Sequence, residues 1–165
     1  MAKESSFDIV SEVDLQEVDN AYQQTVKEIA QRYDLKGTGA RVEFSKADRT
    51  ITISAPSDFV VKQVLDILNT KFLRRKVDIS SVSWGDPVAA SGGTVRVTGS
   101  VVSGIDQDLA KRISKDIRDG KFKAKVTIEG DKLRVASASK DVLQEVIAAV
   151  RQKDYGQPLQ FTNYR

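Results

Sequence analysis

The chain of 165 residues contains no cysteine and no histidine. Without cysteine there can be no disulfide, no thiolate nucleophile and no cysteine-held zinc or iron–sulfur centre. Without histidine the side chain that ordinarily titrates near neutral pH is missing. No apolar run approaches the roughly 20 residues needed to cross a bilayer. The amino terminus carries Lys3, Glu4 and Asp8 without a long apolar segment, unlike a secretory signal. A cytoplasmic protein with no membrane partner is expected. Aromatic residues make up 7% of the chain, and a sheet that reads single-stranded RNA displays them on its two middle strands. Of the strands that would form the middle of each sheet, only Phe7–Val13 carries an aromatic, and alternation places Phe7 with the core residues Ile9 and Val13. A carboxylate pair or a serine–lysine pair could in principle run a reaction, but no spacing singles one out. Asp8, Glu12 and Asp14 suit a strand end and a helix start. The expectation is a binding protein, not an enzyme, with no cofactor.

What is present is a folded chain, 40% hydrophobic and 30% charged. Phe7–Val13 alternates apolar and polar as a half-buried strand does. Asp14 can cap a helix running to about Tyr33, with Glu17 as capping-box partner and an apolar stripe of Val18, Tyr22, Val26 and Ile29. Strands at Ala40–Ser45 and Thr50–Ala55 are joined by the polar turn 46–49, so they pair antiparallel. Pro56 ends the second, and Ser57 or Asp58 can cap a helix with Val60, Val61, Val64, Leu65, Leu68 and Phe72 inward. Val77–Trp84 closes the set. Gly85, Pro87, Gly92 and Gly93 mark a linker. The order then recurs: a strand at Val95–Val101, a helix at Ile105–Asp119, strands at Phe122–Glu129 and Lys132–Ser137 joined by Gly130-Asp131, a helix begun by Ser139 or Asp141, and a strand at Leu159–Tyr164.

Strand, helix, strand, strand, helix, strand is thus read twice. Two small, similar α+β domains bury both copies most economically, each an antiparallel sheet with two helices on one face. The expected domains are residues 1–88 and 94–165. Units this small are marginal alone, so the halves should pack together or exchange an element.

The net charge of +3 is uneven: residues 1–93 carry 12 basic and 14 acidic side chains, residues 94–165 carry 14 and 9. That bias points to an anionic partner for the second half. Arg74, Arg75 and Lys76, with Lys71 one turn earlier, end a helix; they suit phosphate and equally the helix dipole. Lys111, Arg112, Lys115 and Arg118 form either a solvated helix face or a nucleic-acid patch. Lys121, Lys123 and Lys125 alternate along one strand and share a face, with Arg134 beside them. That ladder suits a phosphate or nucleic-acid backbone, or protects a sheet edge. In Tyr33–Gly37, Lys36 supplies charge while Gly37 and Gly39 let backbone amides approach a ligand.

Four separated segments, Ser6–Glu12, Arg32–Gly37, Val61–Leu68 and Gly156–Phe161, resemble the YajQ family of small bacterial proteins, and the resemblance spans essentially the whole chain. It implies two tandem domains of ferredoxin-like topology, similar to RNA-recognition modules. It also implies that the opening strand can be exchanged, completing the sheet of the other half. The family is described as nucleotide-binding, with members linked to nucleic acid, GTP-like nucleotides or cyclic di-GMP. For this chain it implies a non-enzymatic protein taking a guanine nucleotide or cyclic di-GMP. Arg32, Asp34 and Lys36 would act on the family segment, Arg74 and Arg75 across the seam between the halves. Leu35 stands where the family pattern often has phenylalanine, which would weaken an aromatic contact to a ring ligand. The alternatives are an RNA- or DNA-backbone-binding protein and a protein–protein adaptor.

Overall fold

The computed structural model describes residues 3–165. Its strands are β1 (Ser5–Val10), β2 (Arg41–Ser45), β3 (Thr50–Ala55), β4 (Val82–Trp84), β5 (Val88–Ala89), β6 (Val95–Val101), β7 (Lys125–Glu129), β8 (Lys132–Ser137) and β9 (Gln160–Thr162). The helices are α1 (Leu15–Gln31), α2 (Asp58–Arg74), α3 (Gln107–Asp119) and α4 (Lys140–Arg151). Asp14, Ser57, Asp106 and Ser139 cap the four helices, each side chain accepting from amides of the first turn. The capping box at α1 does not form, because Glu17 instead accepts from Asn20 and pairs with Arg75.

The chain folds as two compact α+β units, each ferredoxin-like in topology. The central unit is Val13–Val102; the terminal unit joins the segment ending at Glu12 to Ser103–Arg165. The terminal sheet has the order β7-β8-β1-β9, and the central sheet β2-β3-β6-β4. In both, the strand that should precede the first helix lies in the middle, yet its own chain continues elsewhere. β1 pairs with β8 and β9 and then leads into α1 of the central unit. β6 pairs with β3 and β4 and then leads into α3 of the terminal unit.

The linear division at residues 88–94 therefore does not coincide with the sheets. Val95–Val101, read as opening the second half, completes the first sheet. Its alternation of exposed and buried residues would suit either sheet, and only the long-range register decides. Counted by folded unit, the charge bias of the halves also shrinks. The terminal unit holds 14 basic and 12 acidic side chains and the central unit 12 and 11, balances of +2 and +1.

In the central unit α1 and α2 cover one sheet face, burying Val18, Ala21, Ile51, Ile53, Val64, Leu68 and Phe72. Gly99 sits on that face under Trp84; a Cβ there would lie 2.7 Å from the indole, so the ring can cover the strand only because the side chain is absent. Between Trp84 (opposite Gly99) and Val88 (opposite Arg96), Gly85, Asp86 and Pro87 face only Val97 and Thr98. That β-bulge turns part of the expected linker into sheet edge and accommodates a proline with no amide to donate.

The terminal core is Phe7, Ile9, Ile113, Leu133, Val135, Val146 and their neighbours. The two chain crossings are fastened within this unit. The Gly104 amide donates to the Ser11 carbonyl, and the Gln157 side chain donates to the Gly104 carbonyl at 2.8 Å. The Ser11 hydroxyl donates to the Pro158 carbonyl at 2.6 Å, and the Glu12 amide to the Gln160 side chain at 2.8 Å. The Gly156–Phe161 segment is thus a structural clasp.

On the other face of β1, Asp8 is 2% exposed. Burial opposes its charge, but hydrogen bonds from Asn163 (2.8 Å) and Arg134 (3.1 Å), with Lys132 at 3.5 Å, outweigh this and hold its carboxyl below the usual range. A depressed folded-state pKa stabilises above the unfolded value, and the contribution is lost as pH falls through the folded one. Replacing Asp8 with alanine should cost about 1–3 kcal/mol, seen as faster amide exchange in β1, β8 and β9. Asp8→Asn should flatten the acid-unfolding limb; a limb identical to that of the parent chain would contradict this account.

Candidate functional site

The segment that ends α1 builds the most organised polar surface of the central unit. Arg32 leaves the helix in extended conformation while its amide still donates to the Glu28 carbonyl. Leu35, 1% exposed, anchors the following loop in the core. Amides of Leu35 and Lys36 return to the Arg32 carbonyl, and Thr38 donates through both its amide and hydroxyl to Leu35. Gly37 and Gly39 have φ of 84° and 81°, which glycine adopts without penalty. Among the described residues neither glycine amide finds an acceptor.

This loop closes a cleft of about 500 Å³ lined by Val26, Ile29, Ala30 and Val42, with Lys36 and Arg41 as its charged residues. The volume lies in the range of small-molecule sites, and an apolar wall with a few cations suits a ring bearing phosphate. Lys36 is exposed and, among the described residues, forms no ion pair with an acid. Leu35 belongs to the cleft floor.

Arg32 and Asp34 meet each other. The guanidinium donates from Nε and Nη2 to the two carboxylate oxygens at 2.9 and 2.8 Å, and Gln63 of α2 adds a third donor at 3.2 Å. The Arg32 bond is the main reason that the Asp34 carboxyl is held below its usual range. Arg32 also lies 3.6 Å from Glu28, which accepts from Lys71 at 2.8 Å. Gln63, Asp34, Arg32, Glu28 and Lys71 thus form one continuous chain of contacts along the α1–α2 seam. Tyr33, 98% exposed, and Phe59, 70% exposed and one helical turn before Gln63, flank the Asp34 end in sequence.

Arg74 and Arg75 do not lie across a seam between units. They share the central unit with Arg32, Asp34 and Lys36, but line a second cleft, of about 390 Å³, with Gln24, Lys27, Glu28, Gln31 and Lys71. Arg75 is 3.6 Å from Glu17. Lys27, Gln31 and Arg41 were not singled out in the sequence because only the packing of α1 on α2 and on β2 brings them to these clefts.

The remaining candidates lie in the terminal unit. Lys121 has φ of 56° and Lys123 precedes β7, so Lys125 alone of the three is in the strand. The ladder is shorter than the alternation suggested because the turn after α3 uses a left-handed residue. Exposure still alternates through Lys121, Lys123 and Lys125, since Phe122, Ala124 and Val126 pack inward. Arg134 faces Asp8 across the sheet and also approaches Glu129 at 3.4 Å, so it is committed to structure. Arg112 of the basic α3 face lies over the Tyr155 ring at 4.9 Å and donates to the Asp154 carbonyl. Among the described residues no cluster of acids could hold a metal ion, and no helix is long and apolar enough to cross a membrane.

Comparison with known proteins bears on this arrangement. A family model described as "Nucleotide-binding protein YajQ-like" matches residues 5–165. A "Nucleotide-binding protein" from Nocardia farcinica is 48% identical over 163 residues, covering 98% of this chain and 99% of its own. One of the same name from Acidithiobacillus ferrooxidans is 46% identical, covering 97% and 98%. Another from Chloroherpeton thalassium is 41% identical over the full length of both. The chain belongs to the YajQ-like family.

Glu28 holds the seam together, and its carboxyl is kept below the usual range chiefly by the Lys71 hydrogen bond. Glu28→Ala would strand Lys71, whose side chain is only 11% exposed. A loss of about 1–2 kcal/mol from the central unit is expected, read from denaturant unfolding by fluorescence of Trp84, the one tryptophan. An unchanged midpoint would show the seam to be energetically idle.

Proposed function

We propose that this member of the YajQ-like family is a non-enzymatic binding protein for a guanine nucleotide or cyclic di-GMP, held by the cleft behind the Lys36–Gly39 loop. The observation carrying this reading is the cleft itself: an apolar wall, two exposed cations and two glycine amides without an internal acceptor. The names of its relatives support the nucleotide class. The choice of guanine rests on the family resemblance and on chemistry. A guanine edge offers two adjacent donors to a carboxylate and two acceptors to a guanidinium. Asp34 and Arg32 supply both groups just before the loop, outside the lining of the cleft, so a base reaching them would extend out of it. Their mutual pairing means that a base must share or replace it, so the base would be read at the expense of an internal salt bridge. A binding role, without catalysis, is supported by the lack of histidine and cysteine.

Calorimetry against GTP, cyclic di-GMP and a short RNA at two salt concentrations tests this. Saturable one-to-one binding of a guanine ligand with shallow salt dependence is expected, weakened at least tenfold by Lys36→Glu. Asp34→Asn should weaken guanine binding more than adenine binding. A steep salt response to RNA alone would favour backbone binding. No response to any of the three would overturn the nucleotide reading and leave a protein partner as the function.

A further inference from the structure

The cleft between α1 and α2 has a charge pattern that the first site does not use. Lys27 on α1, Lys71 and Arg74 on α2 and Arg75 just past its end line it, against one acid, Glu28. Glu28 is already engaged by Lys71 and Arg32, and Glu17 reaches Arg75 from beyond the lining. Among the described residues Lys27 and Arg74 form no ion pair. Gln24, Lys27 and Gln31 lie three and four residues apart on α1, so they share one face.

Two basic residues at the end of α2 would stabilise that helix end without any ligand. That explains Arg74 and Arg75. It does not explain a lysine and two amides of α1 lining the same cavity, nor Lys71, 9% exposed, fixed at its floor by Glu28. Four cations against one acid leave the lining with a positive balance that a bound anion would offset. The donors are spread over both walls, so a single carboxylate or phosphate would leave one wall unanswered.

We propose that this cleft is a second anion site, which takes a chain of two or more linked phosphates lying along the α1–α2 seam. Arg74 and Arg75 hold it from one wall, and Lys27 with Gln24 and Gln31 from the other. Lys71 positions Glu28 and adds charge beneath. The lining has no apolar or aromatic side chain on which a base could stack, so the phosphates carry the binding. The chain can be free or carried by a nucleoside.

Inorganic tripolyphosphate, followed by calorimetry, is the probe. Binding is expected to the intact chain and to fall at least tenfold in Arg74→Glu and in Lys27→Glu, exposed residues on different helices. Lys36→Glu, which disables the first cleft, should leave it unchanged, so the two sites fail separately. ATP and GTP as further arms identify the source. If both bind through Arg74 more tightly than tripolyphosphate, the chain is nucleotide-borne; if both are weaker, it is free. Circular dichroism checks that each variant is folded. No tripolyphosphate binding at millimolar concentration, or affinity unchanged in both charge reversals, would overturn the proposal.

Discussion

Each sheet is completed by a strand whose own continuation belongs to the other unit, and the rest of the structure depends on this. β1 is bonded on both sides within the terminal sheet, and β6 within the central one. Neither can be withdrawn without leaving two neighbouring strands with unpaired amides and carbonyls. The chain therefore passes between units twice, after Glu12 and after Val102. Ser6 pairs with Ala136, a separation that gives closure of the terminal sheet the entropic cost of a long loop. The investment at the crossings fits this demand: the Ser11, Gly104, Gln157 and Pro158 bonds fix the chain where it changes unit, and the Asp8 cluster fixes the exchanged strand.

The same connectivity sets up the candidate sites. Because α1 is entered from β1 yet packs on α2, its polar residues meet those of α2 in antiparallel sequence: Glu17 with Arg75, Glu28 with Lys71, Asp34 with Gln63. This seam has a cleft on one flank of α1 against the glycine loop and β2, and another against the end of α2. Glu28 lines the second cleft and lies 3.6 Å from Arg32, which lines neither.

Much of the fold was legible from local pattern. The alternation of β3 and β8, the helix stripes apart from Val26, which is 41% exposed, Asp14 and Ser139 as caps and the Gly130-Asp131 turn report short-range preferences that packing kept. The partner of β6 was not legible, because its alternation satisfies either sheet and only register with Ile53 of β3 and Val82 of β4 distinguishes them. The lysine strand was overextended for a related reason. Phe122, Ala124 and Val126 do point inward, but Lys121 adopts a left-handed turn that no alternation rule detects. For the site, the Arg32–Gly37 segment carried its own signal in two glycines and a lysine. The α1–α2 cleft had only half a signal, since its α1 wall becomes basic only when Lys27 is brought beside Arg74.

A basic residue's role here is decided by whether packing supplies an acid. Arg134 and Arg74 look alike in sequence, each a cation in a basic stretch. Arg134 lies opposite a carboxylate that the sheet has removed from water, and leaving it unpaired would expose the cost of that burial. Arg74 ends a helix and, among the described residues, forms no ion pair, the one acid of its cleft, Glu28, being engaged by Lys71 and Arg32. The unit balances of +2 and +1 show how little summed charge says about this. Cations left unpaired after the fold has neutralised its own acids are the ones open to a ligand; Lys36, Lys27 and Arg74 meet that condition and also line the two clefts, which is why both proposals rest on them.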